Sequence, residues 1–231
     1  MPTKLVIFDL DDTLIDFATT RQTAYAQMGK LLEQEGIDAQ AYLQACPPVD
    51  RALFALFEQG KLTRAEYRAR RFREPFDTLG VVASDELVIR LNTLFMDVVN
   101  DTPLLYDDVL PVLAQLRERD VRTAILTNGP SDGQRRKLKA TGLAELVDHV
   151  AIGEEQGFSK PLPQAFHSVV GRFGMDSGHA LMVGDSPLLD YDAALNAGLQ
   201  ALLLDRGGCH GEGGRASIRS LEAVLPFGND Q

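Results

Sequence analysis

Apolar residues first gather in a continuous run, Lys4–Leu10 (KLVIFDL), rich in β-branched and aromatic side chains and without alternation. A short run lacking a two-residue period suits a strand buried on both faces, as in a parallel sheet. Similar runs recur at Val121–Leu126, His149–Ile152, Ala180–Val183 and Gln200–Leu204. Helix-length segments separate them: Asp108–Arg119, Ser131–Thr141, Pro161–Phe173 and Leu188–Ala197. Gly142, Gly174 and Gly198 follow three of those segments, where helices commonly end in a left-handed residue. Strands alternating with helices predict an α/β fold: a Rossmann-like parallel sheet flanked by helices.

The alternation stops between about Asp16 and Asn100. That stretch reads as four helices, Thr19–Glu35, Val49–Glu58, Thr63–Leu79 and Ser84–Asn100. Thr63 opens the capping-box pattern TRAE, and Ser84 opens an acidic first turn. The expected organisation is therefore an α/β core, residues 1–15 and 104–231, interrupted by an all-helical domain over residues 16–103. The one glycine-rich run, Gly207–Gly214, falls where a surface loop would follow the last strand.

Composition narrows the partners. Among 231 residues, 33 acids against 23 bases give a net charge of −10. Nucleic-acid polymers and anionic membranes require a basic footprint, so neither is an expected partner. A small anionic substrate is compatible, provided a local site supplies a cation and backbone N–H groups. Two cysteines, Cys46 and Cys209, cannot build a disulfide framework or a structural zinc site, which points to a reducing cytoplasm. No signal peptide follows the N-terminus, and no apolar stretch approaches the length of a membrane span.

The chemistry gathers at strand ends. In an open α/β sheet, ligands sit at the carboxyl ends of the strands. The first run ends in Asp9-Leu10-Asp11-Asp12-Thr13, acids whose mutual repulsion beside an apolar strand is costly unless used. The second ends in Thr127-Asn128-Gly129, a hydroxyl with backbone donors that could cradle an anion or simply make a turn. Lys160 precedes a proline at a helix start, and the fourth run ends in Gly184-Asp185-Ser186, with Asp190 four residues on. Each has a structural alternative, such as a helix cap or a solvated lysine. Together they place four polar sites on one edge.

DLDDT, LTNG, SKP and GDSPLLD, in that order, resemble the four motifs of the haloacid dehalogenase superfamily. The intervening helical stretch resembles the cap of its subfamily I. The resemblance implies a phosphomonoester hydrolase using Mg²⁺. Asp9 would be the nucleophile carrying an aspartyl-phosphate, and Asp11 the acid and then the base. Thr127, the Asn128 N–H and Lys160 would bind the phosphoryl group. Asp9, Asp185 and the Asp11 carbonyl would hold the metal, with Gly184, Ser186 and Asp190 in support. The helical domain would close over Asp9 through linkers near residues 15–18 and 100–105.

Within the superfamily, dehalogenases lack an acid two residues after the nucleophile, where this chain has Asp11. A phosphomutase shares these residues, and a non-catalytic binding protein would have little use for all of them. Phe57–Thr63 with Arg71-Phe72 resembles the cap of the bacterial pyrimidine 5′-nucleotidase branch. LTNG and Asn196-Ala197-Gly198 also resemble the sialic-acid-9-phosphate phosphatases. The substrate implied is a nucleoside 5′-monophosphate or similar small phosphorylated metabolite, with sugar or small-acid phosphates such as phosphoglycolate as the alternative. A monomer or homodimer is expected. Arg64, Arg68, Arg70, Arg71 and Arg73 form a local basic stretch that suits a solvated helix face, with one of them able to reach substrate. Phe54, Phe57, Phe72 and Phe76 suit packing, although they could stack on a base, and Tyr25, in the first helix of the insertion, suits packing or could face the site. His149, His167 and His179 read as structural, and Cys209-His210 is too small a set for a metal site.

Overall fold

The computed structural model describes residues 3–209 and 214–228. In chain order the elements are β1 (Leu5–Phe8), α1 (Phe17–Gln34), α2 (Ala39–Glu58), α3 (Arg64–Arg71), α4 (Glu74–Thr78), α5 (Asp85–Asp101), α6 (Val109–Glu118), β2 (Arg122–Thr127) and α7 (Ser131–Thr141). There follow α8 (Leu143–Leu146), β3 (His149–Ile152), α9 (Gly153–Gln156), α10 (Pro163–Arg172), β4 (Ala180–Gly184), α11 (Ala193–Asn196), β5 (Gln200–Leu204) and β6 (Ser217–Ile218). They divide into two units, Met1–Phe17 with Leu104–Gln231, and Ala18–Pro103. Among the described residues no helix is long and apolar enough to cross a membrane.

The first unit is a parallel sheet in the order β3-β2-β1-β4-β5-β6. Its register sets Phe8 beside both Ile125 and Val183. Successive strand residues face opposite layers, and both layers are covered. Val6, Phe8, Ile125 and Val183 join the cluster containing Val112, Leu116 and Leu138, whereas Leu5, Ile7, Leu126 and Met182 join Phe166 and Val169 on the other face. That double burial explains the continuous runs, and each large side chain so buried contributes about 1.5–3 kcal/mol. The chain passes from β1 to β2 on one side and later to β4 on the other, so the crevice where strand order reverses lies at the end of β1.

The regular structure of the second unit, among the described residues, is all helical, with α1 to α5 joined by turns and short loops. The Thr63 capping box is present, with Glu66 N–H donating to Thr63 Oγ1 at 3.2 Å and Thr63 N–H to Glu66 Oε2 at 2.8 Å. The Ser84 hydroxyl accepts from the Leu87 N–H at 3.2 Å. Tyr42 packs on Phe76 at 4.3 Å between ring centroids and donates its buried hydroxyl to the Phe72 carbonyl at 2.8 Å.

Several boundaries differ from the sequence reading. The helix expected from Val49 begins at Ala39, where Asp38 caps the Ala41 N–H, and it runs through Pro47 and Pro48 because Tyr42 and Cys46, one turn apart, are fully buried. The segment Thr63–Leu79 is two helices, because Pro75 brings no N–H and starts a new first turn rather than continuing the old one. The helix expected over Leu188–Ala197 is a wide-turned segment, Pro187–Asp192, before the short α11; such local widening accommodates an inward-facing side chain, here Asp190. Lys160 lies three residues before α10 rather than at its first turn. The short edge strand β6 and helices α8 and α9 were not read from the sequence. Of the glycine-rich loop, residues 210–213 lie outside the described residues, and His210 with them.

Candidate active site

Asp9 is the residue after β1, and its N–H donates to the Val183 carbonyl at 3.0 Å, continuing the ladder one step past the strand. The chain then turns sharply. Asp12 adopts a left-handed φ of 59° and donates its N–H to the Ile15 carbonyl at 2.7 Å. This turn leaves Asp9 8% exposed.

Thr127 ends β2 and is buried. Asn128 beside it uses its side chain on the Lys160 backbone: Nδ2 donates to the Lys160 carbonyl at 2.7 Å, and Oδ1 accepts from the Lys160 N–H at 2.9 Å. That reciprocal pair fixes a residue of a distant loop. Lys160 Nζ then donates to Asp9 Oδ1 and to Asp190 Oδ1, each at 2.6 Å. Asp190 Oδ2 accepts from the Ser186 N–H at 2.9 Å, and the Ser186 hydroxyl caps Leu189 N–H at 3.2 Å. Both oxygens of Asp190 are thereby engaged. Gly184 is needed for a related reason: a Cβ there would collide with the Asp190 carboxylate and lie 2.7 Å from Asp190 Cβ.

The electrostatics follow from this crowding. Burial, with help from Asp190 and Asp185, pushes the Asp9 carboxyl well above the usual range against the pull of Lys160. Burial, then Asp190 and Asp12, pushes Asp185 up to about 7. For Lys160, burial opposes the charge, yet Asp190 and Asp9 outweigh it and hold the ammonium above the ordinary lysine range. Oxygens of Asp9, Asp185 and Asp190 lie within 4.8 Å of one another. This all-oxygen set, with two carboxyls disfavoured as anions, suits a hard divalent cation such as Mg²⁺.

The structure thus brings Asp9, Lys160, Asp185 and Asp190 together, with Thr127, Asn128, Gly184 and Ser186 around them. Asp11 is also engaged, by residues that sequence reasoning missed. Lys137 Nζ lies 2.6 and 2.8 Å from its two oxygens, and Gln134 Nε2 donates to Asp11 Oδ2 at 3.0 Å and to Thr127 Oγ1 at 2.7 Å. The available signal was the polarity of α7: SDGQRRKLKAT has one large apolar residue, Leu138, so polar side chains had to occupy its covered face.

The other candidates serve the helical unit or the sheet faces. Arg70 pairs with Glu74 at 2.5 Å, and Arg73 pairs with Asp85. Arg71 departs from the solvated face expected of this stretch, being 5% exposed. It lies over Phe72 and Phe95, 4.7 Å from each ring centroid, with Nη2 donating to Asn92 Oδ1 at 2.7 Å. Phe54 and Phe57 pack with Tyr67, and Tyr25 with Phe95. A ring nitrogen of His167 meets the Ala197 carbonyl at 2.9 Å, and His149 packs on Phe173.

Residues 3–198 match the family model of haloacid dehalogenase-like hydrolases. The chain is 32% identical over 225 residues to a phosphoserine phosphatase of Thermus thermophilus, covering 88% of this chain and 89% of that protein. It is 31% identical to the human N-acylneuraminate-9-phosphatase (86% and 80% covered) and 30% identical to a pyrimidine 5′-nucleotidase of Streptococcus pneumoniae (86% and 82% covered). Among solved structures, the magnesium-bound HAD-hydrolase YfnB of Bacillus subtilis superposes with a TM-score of 0.80 at 25% identity, covering 99% of this chain and 100% of that one.

Proposed function

We propose that this chain, which belongs to the haloacid dehalogenase-like hydrolases and is a phosphatase of that family, is a Mg²⁺-dependent phosphomonoester hydrolase working through an aspartyl-phosphate on Asp9. The observation that carries the reading is the Asp9 carboxylate at the end of the central strand, 2.6 Å from a buried lysine and within an all-oxygen trio. An isolated carboxylate is repelled by a phosphate dianion; one flanked by Lys160 and held for a divalent cation is not.

In the first step an Asp9 oxygen attacks phosphorus, the ester P–O bond breaks, and Asp11 gives its proton to the leaving oxygen. In the second, Asp11 takes a proton from water, which attacks phosphorus, releases inorganic phosphate and restores Asp9. Thr127 Oγ1 and the Asn128 N–H hold phosphoryl oxygens, and Lys160 balances charge on Asp9 and the transferring group. Asp9, Asp185 and the Asp11 carbonyl would hold Mg²⁺, whose chemistry is to neutralise phosphoryl oxygens. The magnesium in YfnB supports Mg²⁺ as the ion. Asp190 keeps Lys160 in place. A halide leaves without a proton, so a metal-independent dehalogenase would have no work for Asp11 as an acid. We read the helical unit Ala18–Pro103 as the family's cap insertion.

The substrate class we assign is a small phosphorylated metabolite, with a nucleoside 5′-monophosphate first, as in the streptococcal relative. Sugar or small-acid phosphates are the second reading, favoured by the phosphoserine and N-acylneuraminate relatives. The test is phosphate release from a panel of nucleotides, sugar phosphates, phosphoserine and phosphoglycolate, ranked by kcat/KM. Hydrolysis should require Mg²⁺ and vanish in Asp9→Asn. Hydrolysis indifferent to EDTA and to that substitution, or no hydrolysis at all, would overturn the reading.

A further inference from the structure

Helix α7 buries two polar side chains that no surface role explains: Gln134 is 2% exposed and Lys137 5%. Lysine is almost never buried this deeply without a partner. Among the described residues, the carboxylate facing Lys137 is that of Asp11, both of whose oxygens lie within 2.8 Å of Nζ. The ring of Phe17, 4.5 Å from Nζ, closes the other side. Three residues earlier on the same helix face, Gln134 divides one amide nitrogen between Asp11 Oδ2 and Thr127 Oγ1.

Two directions follow. A carboxylate can only accept, so the Gln134 nitrogen rather than its carbonyl must face Asp11. The same nitrogen donates to Thr127 Oγ1, so the hydroxyl's own hydrogen points to some other acceptor. Gly129 is shaped by this arrangement as well: a Cβ there would lie 2.5 Å from Gln134 Cδ and 3.0 Å from Cγ. The glycine of Thr127-Asn128-Gly129 has no left-handed φ to explain it, and is where Gln134 crosses the turn.

We propose that Gln134 and Lys137 are positioning residues for the hydrolysis, a role that rests on the assignment of Asp9 and Asp11 above. Lys137 and Gln134 fix the Asp11 side chain in one orientation, from which it exchanges a proton with the leaving oxygen and then with water. Gln134 also turns the Thr127 hydroxyl hydrogen toward the phosphoryl group. An untethered aspartate would sample other rotamers and spend less time in a reactive geometry.

The experiment is a double-mutant cycle in kinetics, with p-nitrophenyl phosphate and Mg²⁺ on the full chain. Lys137→Met and Gln134→Met, near-isosteric and apolar, are each expected to lower kcat by about 10- to 100-fold, with KM little changed. Lys137→Arg, which keeps charge and donors, should recover part of the loss. If Lys137 acts through Asp11, adding Lys137→Met to Asp11→Asn costs nothing further. A merely structural lysine would lower the melting temperature and slow both backgrounds by the same factor. Full additivity, or a Lys137→Met enzyme as fast as the parent, overturns the proposal. Should Lys137→Met fail to fold, the cycle of Lys137→Arg with Asp11→Asn separates the same two outcomes. A parent enzyme inactive on every phosphate ester would instead remove the reading of Asp9 and Asp11, a failure visible before any variant is made.

Discussion

Gly184→Ala is a one-carbon change whose cost can be worked from the structure. The new Cβ would occupy space held by the Asp190 carboxylate and come 2.7 Å from Asp190 Cβ. The strand cannot yield, because β4 is paired on both sides and Gly184 lies beside Leu203 in the register. Asp190 must therefore move, although it is 1% exposed and its oxygens bond Lys160 Nζ at 2.6 Å and Ser186 N–H at 2.9 Å. The shift need break only one of these two hydrogen bonds to a buried charge, which costs about 1.5–3 kcal/mol, and overpacking adds about 1–3 kcal/mol. We expect the sheet unit to lose about 3–6 kcal/mol, a large share of the ~5–15 kcal/mol that holds a native protein together. In urea unfolding followed by circular dichroism, a slope of about 2 kcal/mol/M makes this a fall of roughly 1.5–3 M in the midpoint. Asp190→Ala removes the obstruction, so the double variant should be more stable than the two single losses added together, by at least about 1 kcal/mol. A Gly184→Ala midpoint within about 0.5 M of the parent, or strict additivity, would show that Asp190 does not hold the position assigned to it.

Mg²⁺ should raise the melting temperature, by about 2.7 kcal/mol of stabilisation at a hundred times its Kd, and Asp185→Asn should abolish most of that rise in differential scanning calorimetry; an equal rise in the variant would refute the assignment of Asp185. Burial works against ionised Asp148, but the Thr123 N–H and Arg122 outweigh it and keep its carboxyl below the usual range. Its stabilising effect is therefore complete above the unfolded carboxylate value of about 4 and disappears as pH falls through the lower folded value. Asp148→Asn should accordingly flatten the acid limb of a stability–pH curve while changing little once the pH lies below the folded value, and an unchanged acid limb would contradict the contact. Cys46 is fully buried with its thiol pushed up to about 12, chiefly by burial, while Cys209 is exposed. A thiol reagent should label one cysteine in the native protein and both in urea; two in the native state would mean that α2 does not bury Cys46.

The amino-acid order alone determined the parallel sheet and the edge where chemistry gathers. Leu5–Phe8, β2 after its exposed first residue Arg122, and Ala180–Gly184 are buried on both faces, so each announces itself as a largely apolar run, whatever its neighbours. Asp9, Thr127 and Asp185 could then be placed at strand ends by counting along the chain. Helix interruptions were harder to read: Pro47 and Pro48 lie inside α2 while Pro75 lies in the first turn of α4, a choice made by what Tyr42, Cys46 and Phe76 bury against. The family resemblance already put Asp190 in support of the site, but its place against Gly184 and its bond to Lys160 are set by the fold. The sequence reading gave Lys137 and Gln134 no role within the helix Ser131–Thr141, and only folding sets them against Asp11, which lies 126 and 123 positions away. Burial pattern is a property of a short segment and survives in the sequence. The pairing of one buried charge with another depends on the register of β2 beside β1 and on the pitch of α7, and so exists only once the sheet has closed.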